Sequence, residues 1–223
     1  MKIIAHIHND FSDKFGIPRQ SGLNSSISQI IFESQYRNAD SLRGIDEFSH
    51  LWLIWNFSQS NKEDWSPTVR PPRLGGNTKV GVFASRSPFR PNPIGLTVVK
   101  LIKTEITDKG PVIYVSGADL LDGTPIYDIK PYIPYSDCIA DAKDGFTSIT
   151  KNYKLDVYIP SDISKEFPKY KLMVLNEILS GDPRPSYHSD ASRVYGMSYA
   201  GYNIKFTVND KTLTVTEIKK IPV

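Results

Sequence analysis

Two arginines lie in a segment, 85–95, whose three prolines stiffen the backbone. Each proline fixes φ at its own position and moves the preceding residue away from the helical region. Arg86 and Arg90 are therefore expected on a loop that is rigid before any ligand arrives. Their planar guanidinium groups suit a carboxylate or a phosphate. The spacing indicates an anion-binding loop, although a rigid turn with structural ion pairs would have the same sequence.

An acidic loop, 117–126, follows a short predicted strand at 112–115. It carries Asp119 and Asp122, and the pair Asp122-Gly123 is a turn signal. Taken alone, this loop is also explained by structural ion pairs, which perturb charged groups as often as functional sites do. A stiff cationic loop and an acidic loop in one chain together predict a site for a polar ligand.

Two further loops combine proline with arginine. The first, 67–77, contains Arg70 and Arg73 and ends in a pair of glycines, and the second, 182–187, contains Arg184 and Tyr187. Prolines argue against regular secondary structure in the first loop. Its arginines suit contacts with phosphate groups, with an ordinary surface loop as the equal alternative.

The remaining residues that could bind a metal or act as nucleophiles do not form a recognisable catalytic or metal-binding centre. His6 and His8 would share one face of a strand, but no cysteine or carboxylate cluster completes a ligand set, so no metal is expected. A dinucleotide GxGxxG, a Walker loop, GxSxG and CxxC are all absent from the sequence. The single cysteine, Cys138, excludes an internal disulfide and is typical of a reducing compartment.

The ordered set of motifs closely resembles the TsaA-like family, the TrmO-type tRNA methyltransferases. The resemblance covers essentially the whole chain and rests on GVFASRSPFRPNPIGLT (81–97), DLLDGTPIYDIKPYIPY (119–135), IPRQSGL (17–23), RGIDEFSHLW (43–52), PTVRPPRLGGN (67–77), DPRPSY (182–187) and the tail strands after Tyr199.

This resemblance implies an S-adenosylmethionine-dependent enzyme that methylates N6 of threonylcarbamoyl-adenosine beside the anticodon of tRNA, usually as a homodimer. Composition and spacing alone do not lead to that activity. The cofactor-binding residues that it implies are Pro18, Arg19, Gln20, Ser58, Gln59, Arg86, Leu96, Gly123, Thr124, Pro125 and Ile126. The substrate-binding residues expected are Arg70, Arg73, Arg184 and Tyr187.

Three points stay open beside the resemblance. The chain has His8-Asn9 where the family usually has Arg-Ser, and Ser58 where the family often has histidine. The target nitrogen is urea-like and needs a base or a hydrogen-bond partner to lose its proton, but the sequence identifies no catalytic base. A non-catalytic RNA-binding or cofactor-sensing barrel, or a methyltransferase for another substrate, remains the alternative.

The elements that must position these loops are mostly strands. Strands are predicted at 2–8, 48–57, 79–84, 96–99, 112–115 and 155–159, a helix at 170–179, and a hairpin from 204–208 and 213–215. The resemblance implies a mainly β protein: a small, mostly antiparallel TsaA-like β-barrel that binds the cofactor (1–155), followed by a small α+β C-terminal domain (156–223).

The composition is that of an ordinary globular protein. The 223 residues carry 27 basic and 24 acidic side chains, and the net charge of +3 permits an RNA partner without requiring one. The apolar run 51–55 stops at Asn56, far short of a membrane span, and the apolar N-terminus is too short for a signal peptide. We therefore expect a cytoplasmic protein.

Overall fold

The computed structural model describes residues 1–60, 65–149, 151–185 and 190–222. Its strands are β1 (Ala5–His8), β2 (Ile27–Phe32), β3 (His50–Asn56), β4 (Thr68–Val69), β5 (Val80–Gly81), β6 (Ile94–Thr107), β7 (Gly110–Ser116), β8 (Pro125–Pro131), β9 (Asp156–Tyr158), β10 (Tyr195–Tyr199), β11 (Tyr202–Asn209) and β12 (Thr212–Lys220). The helices are α1 (Pro134–Asp137) and α2 (Lys169–Ser180), accompanied by short 3₁₀ turns.

The N-terminal sheet closes on itself. Its strands pair in the order β1-β2-β7-β6-β3-β8, every pair is antiparallel, and β8 pairs back to β1. Residues alternate between the two faces of each strand, so that Leu51, Leu53 and Ile126 point inward and are fully buried. The predicted mainly β class is confirmed.

A second core lies between α2 and the sheet β10-β11-β12-β9. On α2, Val174, Leu175, Ile178 and Leu179 are buried on one face, the spacing that an amphipathic helix requires. Fully burying a leucine contributes roughly 1.5–3 kcal/mol. Phe11 from the N-terminal segment also belongs to this core, so the beginning of the chain is packed into its C-terminal part.

Most of the predicted elements are present, and two local predictions were wrong. The helix at 170–179 and the terminal hairpin are confirmed. The strand predicted at 79–84 ends after Gly81, because Val82–Ala84 turns into a 3₁₀ helix. In 67–77, predicted to be irregular, Thr68–Val69 pairs with β5, since neither residue is a proline.

Besides β4, three strands of the described residues were not predicted: β2, β8 and β10. Alternation is present in β2, where Ser28, Ile30 and Phe32 are the buried residues, but the serine hides the apolar pattern. In β8 a proline stands at each end. The described part of the chain has no helix with the length and hydropathy needed to cross a bilayer.

A close approach between β3 and β6 sets the shape of one end of the closed sheet. Trp55 lies directly opposite Gly95 in the pairing of the two strands, and its indole ring covers the position where a side chain of residue 95 would stand. A Cβ atom there would penetrate the ring. Only glycine leaves room for the indole, which is 7% exposed and packs against Phe57 in a tilted arrangement with ring centroids 4.2 Å apart.

We predict that Gly95→Ala destabilises the protein by about 1–3 kcal/mol, because overpacking forces Trp55 out of its position. Gly81→Ala is the matched control, since a Cβ at residue 81 meets nothing within 4 Å and its φ of −60° suits any residue. Urea unfolding of both variants measures the difference. Equal stability of the two variants would contradict this account of the packing.

Candidate functional site

A cleft of about 450 Å³ opens at the end of the closed sheet, where β3 and β6 meet the loops 14–20, 57–60, 86–90 and 119–124. Its size is within the range of small-molecule sites in proteins. Basic, acidic, aromatic and aliphatic side chains all contribute to its wall. The cationic loop and the acidic loop predicted from the sequence therefore do meet at one site.

The cationic wall is built by the proline-rich loop 85–95. Arg86 is exposed on the cleft, and its Nη1 donates a hydrogen bond of 2.6 Å to Oε1 of Gln20. Arg90 is half-buried and donates to the carbonyl oxygens of Val82 and Ser85, each at 3.3 Å. Arg90 thus braces the loop, whereas the guanidinium of Arg86 is presented to a ligand.

Most of the residues predicted to bind the cofactor line this cleft. They are Pro18, Arg19, Gln20, Ser58, Gln59, Arg86, Leu96 and Thr124. Gly123, Pro125 and Ile126 are not among the lining residues. Ile126 is fully buried inside the closed sheet, and Pro125 begins β8 opposite His6.

Gly123 has a structural reason to be glycine. Its φ is +74°, a conformation that L side chains rarely adopt, and its amide donates to the carbonyl of Ile7 at 2.8 Å. The Thr124 hydroxyl donates to the carbonyl of Leu121 at 2.7 Å. This turn fixes the acidic loop against β1 and so holds in place the part of the cleft wall that 119–124 forms.

The wall also contains Trp55, Thr97 and Asp119, which were not among the predicted binding residues, although Asp119 lies in the acidic loop predicted to contribute to a polar site. Nε1 of Trp55 donates to Oγ1 of Thr97 at 3.0 Å, and the Thr97 hydroxyl donates to Oδ1 of Asp119 at 2.8 Å. Burial raises the pKa of Asp119, and the hydrogen bond from Thr97 and the charge of Arg86 only partly offset that effect. The signal available in the sequence was an aspartate enclosed by two apolar residues, Ala118 and Leu120.

Two arginines converge on the carboxyl end of α2, an arrangement that we call the arginine clasp (Arg19, Arg73 and the carbonyls of 181, 182 and 184). Arg19 donates to the carbonyls of Asp182 and Arg184 at 2.8 and 2.7 Å, and Arg73 to that of Gly181 at 2.6 Å. These carbonyls lie at the negative end of the helix dipole. Burial, reinforced by repulsion from Arg73, lowers the pKa of Arg19 to about 10.

Asp182 organises the turn that follows α2. It has a positive φ of 51°, and its side chain is 3% exposed in an ion pair with Arg184, with a distance of 2.9 Å from Oδ1 to Nε. The Tyr153 hydroxyl donates to its other carboxylate oxygen at 3.2 Å. Both charges are therefore removed from water in a mutually bonded arrangement.

The four residues predicted to bind the substrate differ in their surroundings. Arg70 is exposed, Arg73 is half-buried in the arginine clasp, and Arg184 is 7% exposed in its pair with Asp182. Tyr187 lies outside the described residues. In this conformation the 182–184 turn, which follows α2, is bonded to Arg19 of the loop 14–20 and so joins the C-terminal part of the chain to that loop.

The histidines of β1 pair with carboxylates. Nδ1 of His6 lies 2.8 Å from Glu33, and Nδ1 of His8 lies 3.4 Å from Asp122. Within residues 1–60, 65–149, 151–185 and 190–222, no three or more histidine, cysteine, aspartate or glutamate side chains form a group able to hold a metal ion.

Comparison with known sequences gives matches to two domain families. Residues 6–138 match the tRNA-methyltransferase O N-terminal domain, and residues 154–221 match the TrmO C-terminal domain. The chain is 38% identical over 218 residues to the tRNA (adenine(37)-N6)-methyltransferase of Escherichia coli K12, a match that covers 93% of this chain and 92% of the relative.

A relative from Pseudomonas aeruginosa, described as a putative S-adenosylmethionine-dependent methyltransferase, is 36% identical over 211 residues, which are 87% of this chain and 86% of the relative. Among solved structures, TrmO from P. aeruginosa superimposes with a TM-score of 0.80 at 27% identity, covering 98% of this chain and 95% of that one. The likeness thus extends through both hydrophobic cores.

We predict that Arg184→Ala lowers the free energy of unfolding by roughly 3–5 kcal/mol, because it leaves the buried Asp182 carboxylate without its cation. Arg43→Ala is the matched control: Arg43 pairs with Asp40 on the surface, where the two side chains are 81% and 73% exposed. Its removal should cost less than about 1 kcal/mol. Equal losses for the two variants in urea unfolding would contradict the structural role of Arg184.

Proposed function

The chain belongs to the TrmO family of tRNA methyltransferases, and on that premise we propose that it methylates N6 of adenosine 37 of tRNA. It is an S-adenosylmethionine-dependent tRNA methyltransferase. We propose further that the target carries a threonylcarbamoyl group on that nitrogen. The observation that carries the proposal is the match to both family domains together with the meeting of the predicted cofactor residues in one cleft.

The residues of the cleft fit S-adenosylmethionine. The exposed guanidinium of Arg86 suits the methionyl carboxylate, because a planar fork binds a carboxylate through two hydrogen bonds. Leu96 and Leu121 provide apolar surface for the adenine, and polar groups of 58–59 can meet the ribose hydroxyls. A cofactor with a carboxylate at one end and an aromatic base at the other requires this mixture of groups.

When bound, the cofactor supplies an electrophilic methyl group on a sulfonium. The protein's own contribution is to orient the target nitrogen, to exclude water and to receive a proton. The rigid 85–95 loop fixes Arg86, and the arginine clasp fixes the segment that contains Arg19 and Gln20. Precise positioning matters because the lone pair of the target nitrogen is delocalised and reacts poorly.

The tRNA-binding role of Arg70, Arg73, Arg184 and Tyr187 stays a prediction. Arg70 is exposed and can meet a phosphate group directly. Arg73 and Arg184 are bonded to the end of α2, so their contribution to binding would come from shaping the surface between the two cores. Since tRNA is the proposed substrate, we place the protein in the cytoplasm.

We also propose that residues 1–155 form the cofactor-binding barrel domain and 156–223 the α+β domain. The closed ring of strand pairings and the two cores support this division.

We propose that the protein is a homodimer, because proteins of this family are usually homodimers. Exposed aromatic surface supports it: Phe83 is 75% and Trp65 49% exposed, and their rings stack 6.2 Å apart. Sedimentation of an active protein only as a 25.1 kDa species would contradict the dimer.

The proposed function is tested by mass spectrometry of nucleosides from tRNA of a strain that lacks the protein. The methylated form of threonylcarbamoyl-adenosine should disappear and the unmethylated form should accumulate, and a copy of the gene should reverse both changes. Unchanged nucleosides would refute the proposal and would favour a non-catalytic binding or sensing role. Loss of a different methylated nucleoside would refute the substrate alone.

We predict that Arg86→Ala weakens S-adenosylmethionine binding by about 1.5–3 kcal/mol, because it removes a charge-assisted hydrogen bond to the carboxylate. Calorimetry with purified protein measures the loss, and Arg43→Ala, an exposed arginine outside the cleft, is the control. Thermal melts should show both variants folded. Unchanged affinity in folded Arg86→Ala protein would remove Arg86 from the site.

A further inference from the structure

Asp119 is the acidic side chain that faces the cleft from the loop after β7. Its neighbours in the chain, Ala118 and Leu120, are 0% and 1% exposed and anchor the loop in the core of the closed sheet. Asp119 itself lines the cleft beside Thr97 and Leu121. The backbone on both sides is therefore immobilised, and the carboxyl group has a fixed place in the wall.

A directed chain of hydrogen bonds orients this carboxyl group. The Thr97 hydroxyl has one proton, and because Oγ1 accepts from Nε1 of Trp55 at 3.0 Å, that proton is given to Oδ1 of Asp119 at 2.8 Å. Thr97 is 2% exposed, so water does not compete for it.

Basic side chains share the cleft with Asp119. Arg86 acts on it from the proline-rich loop, and Lys14, Arg19 and Arg90 line the same cleft from their own segments. Burial nevertheless dominates, and it raises the pKa of Asp119 above that of an exposed aspartate. A carboxylate in such a site is a stronger base than one in water and still ionises beside positive charge.

We propose that Asp119 is the proton acceptor of the methyl transfer, an inference that rests on the proposed function. As the carbon–sulfur bond of the sulfonium breaks, its electron pair stays on sulfur and N6 of the adenosine forms the new bond to the methyl carbon. The proton of N6 passes to the Asp119 carboxylate and then to solvent. Thr97 and Trp55 are positioning residues that act through this carboxylate.

The first test is Asp119→Asn, which keeps the size of the side chain and an acceptor for Thr97. Single-turnover methylation of tRNA that carries threonylcarbamoyl-adenosine without the methyl group should fall by roughly 100-fold or more. The affinity for S-adenosylmethionine, measured by calorimetry, should stay unchanged. Asp108→Asn, an exposed aspartate in the turn between β6 and β7, is the control and should keep the wild-type rate.

Other outcomes of this test would overturn the inference. Loss of cofactor affinity in Asp119→Asn would make the residue a cofactor ligand, and an unchanged rate would remove it from the reaction. Both outcomes leave the proposed function standing, because the wild-type protein methylates tRNA in the same experiment. If the wild-type protein fails to methylate, the proposed function itself fails.

The second test uses Thr97→Val with Thr97→Ser as the conservative variant. A general base must be ionised, so the wild-type rate should rise with pH through the pKa of Asp119. Removing the hydroxyl that stabilises the carboxylate raises that pKa further, which moves the rise to higher pH, and serine should restore the wild-type profile.

Carboxyl ¹³C NMR of the protein without substrate gives a readout independent of activity. The resonance that is missing in Asp119→Asn should titrate above the usual aspartate range in the wild type and higher still in Thr97→Val. If the pH dependence of the methylation rate and the NMR titration of the Asp119 carboxyl were the same in the wild type and in Thr97→Val, the roles assigned to Thr97 and Asp119 would be contradicted.

Discussion

The packing of Trp55 against Gly95 is the constraint on which the candidate site depends. Because residue 95 has no side chain, the indole can lie across β6 and place its Nε1 beside Thr97. The hydroxyl of Thr97 in turn holds the carboxyl group of Asp119 at the cleft. The space left by Gly95 inside the sheet therefore fixes the orientation of the Asp119 carboxyl group at the end of the sheet, through the rigid side chains of Trp55 and Thr97.

A second constraint joins the two cores. The turn after α2 has Asp182 in the left-handed region, and it exposes the carbonyls of 181, 182 and 184 to the arginine clasp. Arg19 belongs to the segment that also supplies Gln20, the partner of Arg86. The end of a helix in the second core therefore fixes the position of one wall of the cleft. For this reason the C-terminal part of the chain cannot be considered separately from the loop 14–20.

Apolar patterns in the sequence were enough to predict β1, β3, β7, β9, β11, β12, the first part of β6 and the helix α2, because each of these elements buries apolar side chains at regular spacing. They failed at Val82–Ala84, where three residues with strand alternation close into a 3₁₀ turn as the chain enters the proline-rich loop.

The surroundings of the arginines could not be predicted from the sequence either. Arg86 and Arg184 have the same proline-rich context, yet one is exposed on the cleft and the other is buried against Asp182. That difference depends on which charged group lies opposite in space, information that a linear pattern does not contain. The sequence places Asp119 in an acidic loop but gives no sign of its surroundings for the same reason, since the hydrogen bonds that orient it come from Thr97 and Trp55, which are far from it in the chain.

A crystal structure of the protein with S-adenosylhomocysteine, together with the same crystals soaked in S-adenosylmethionine, tests the central claim most directly. The account predicts the ligand in the cleft between Arg86 and Trp55, with its carboxylate on the Arg86 guanidinium and its sulfur directed toward the side of the cleft that holds Asp119. A ligand bound at the opposite end of the closed sheet would contradict it. So would a ligand in the cleft whose binding displaces the Trp55 indole from its packing position against Gly95.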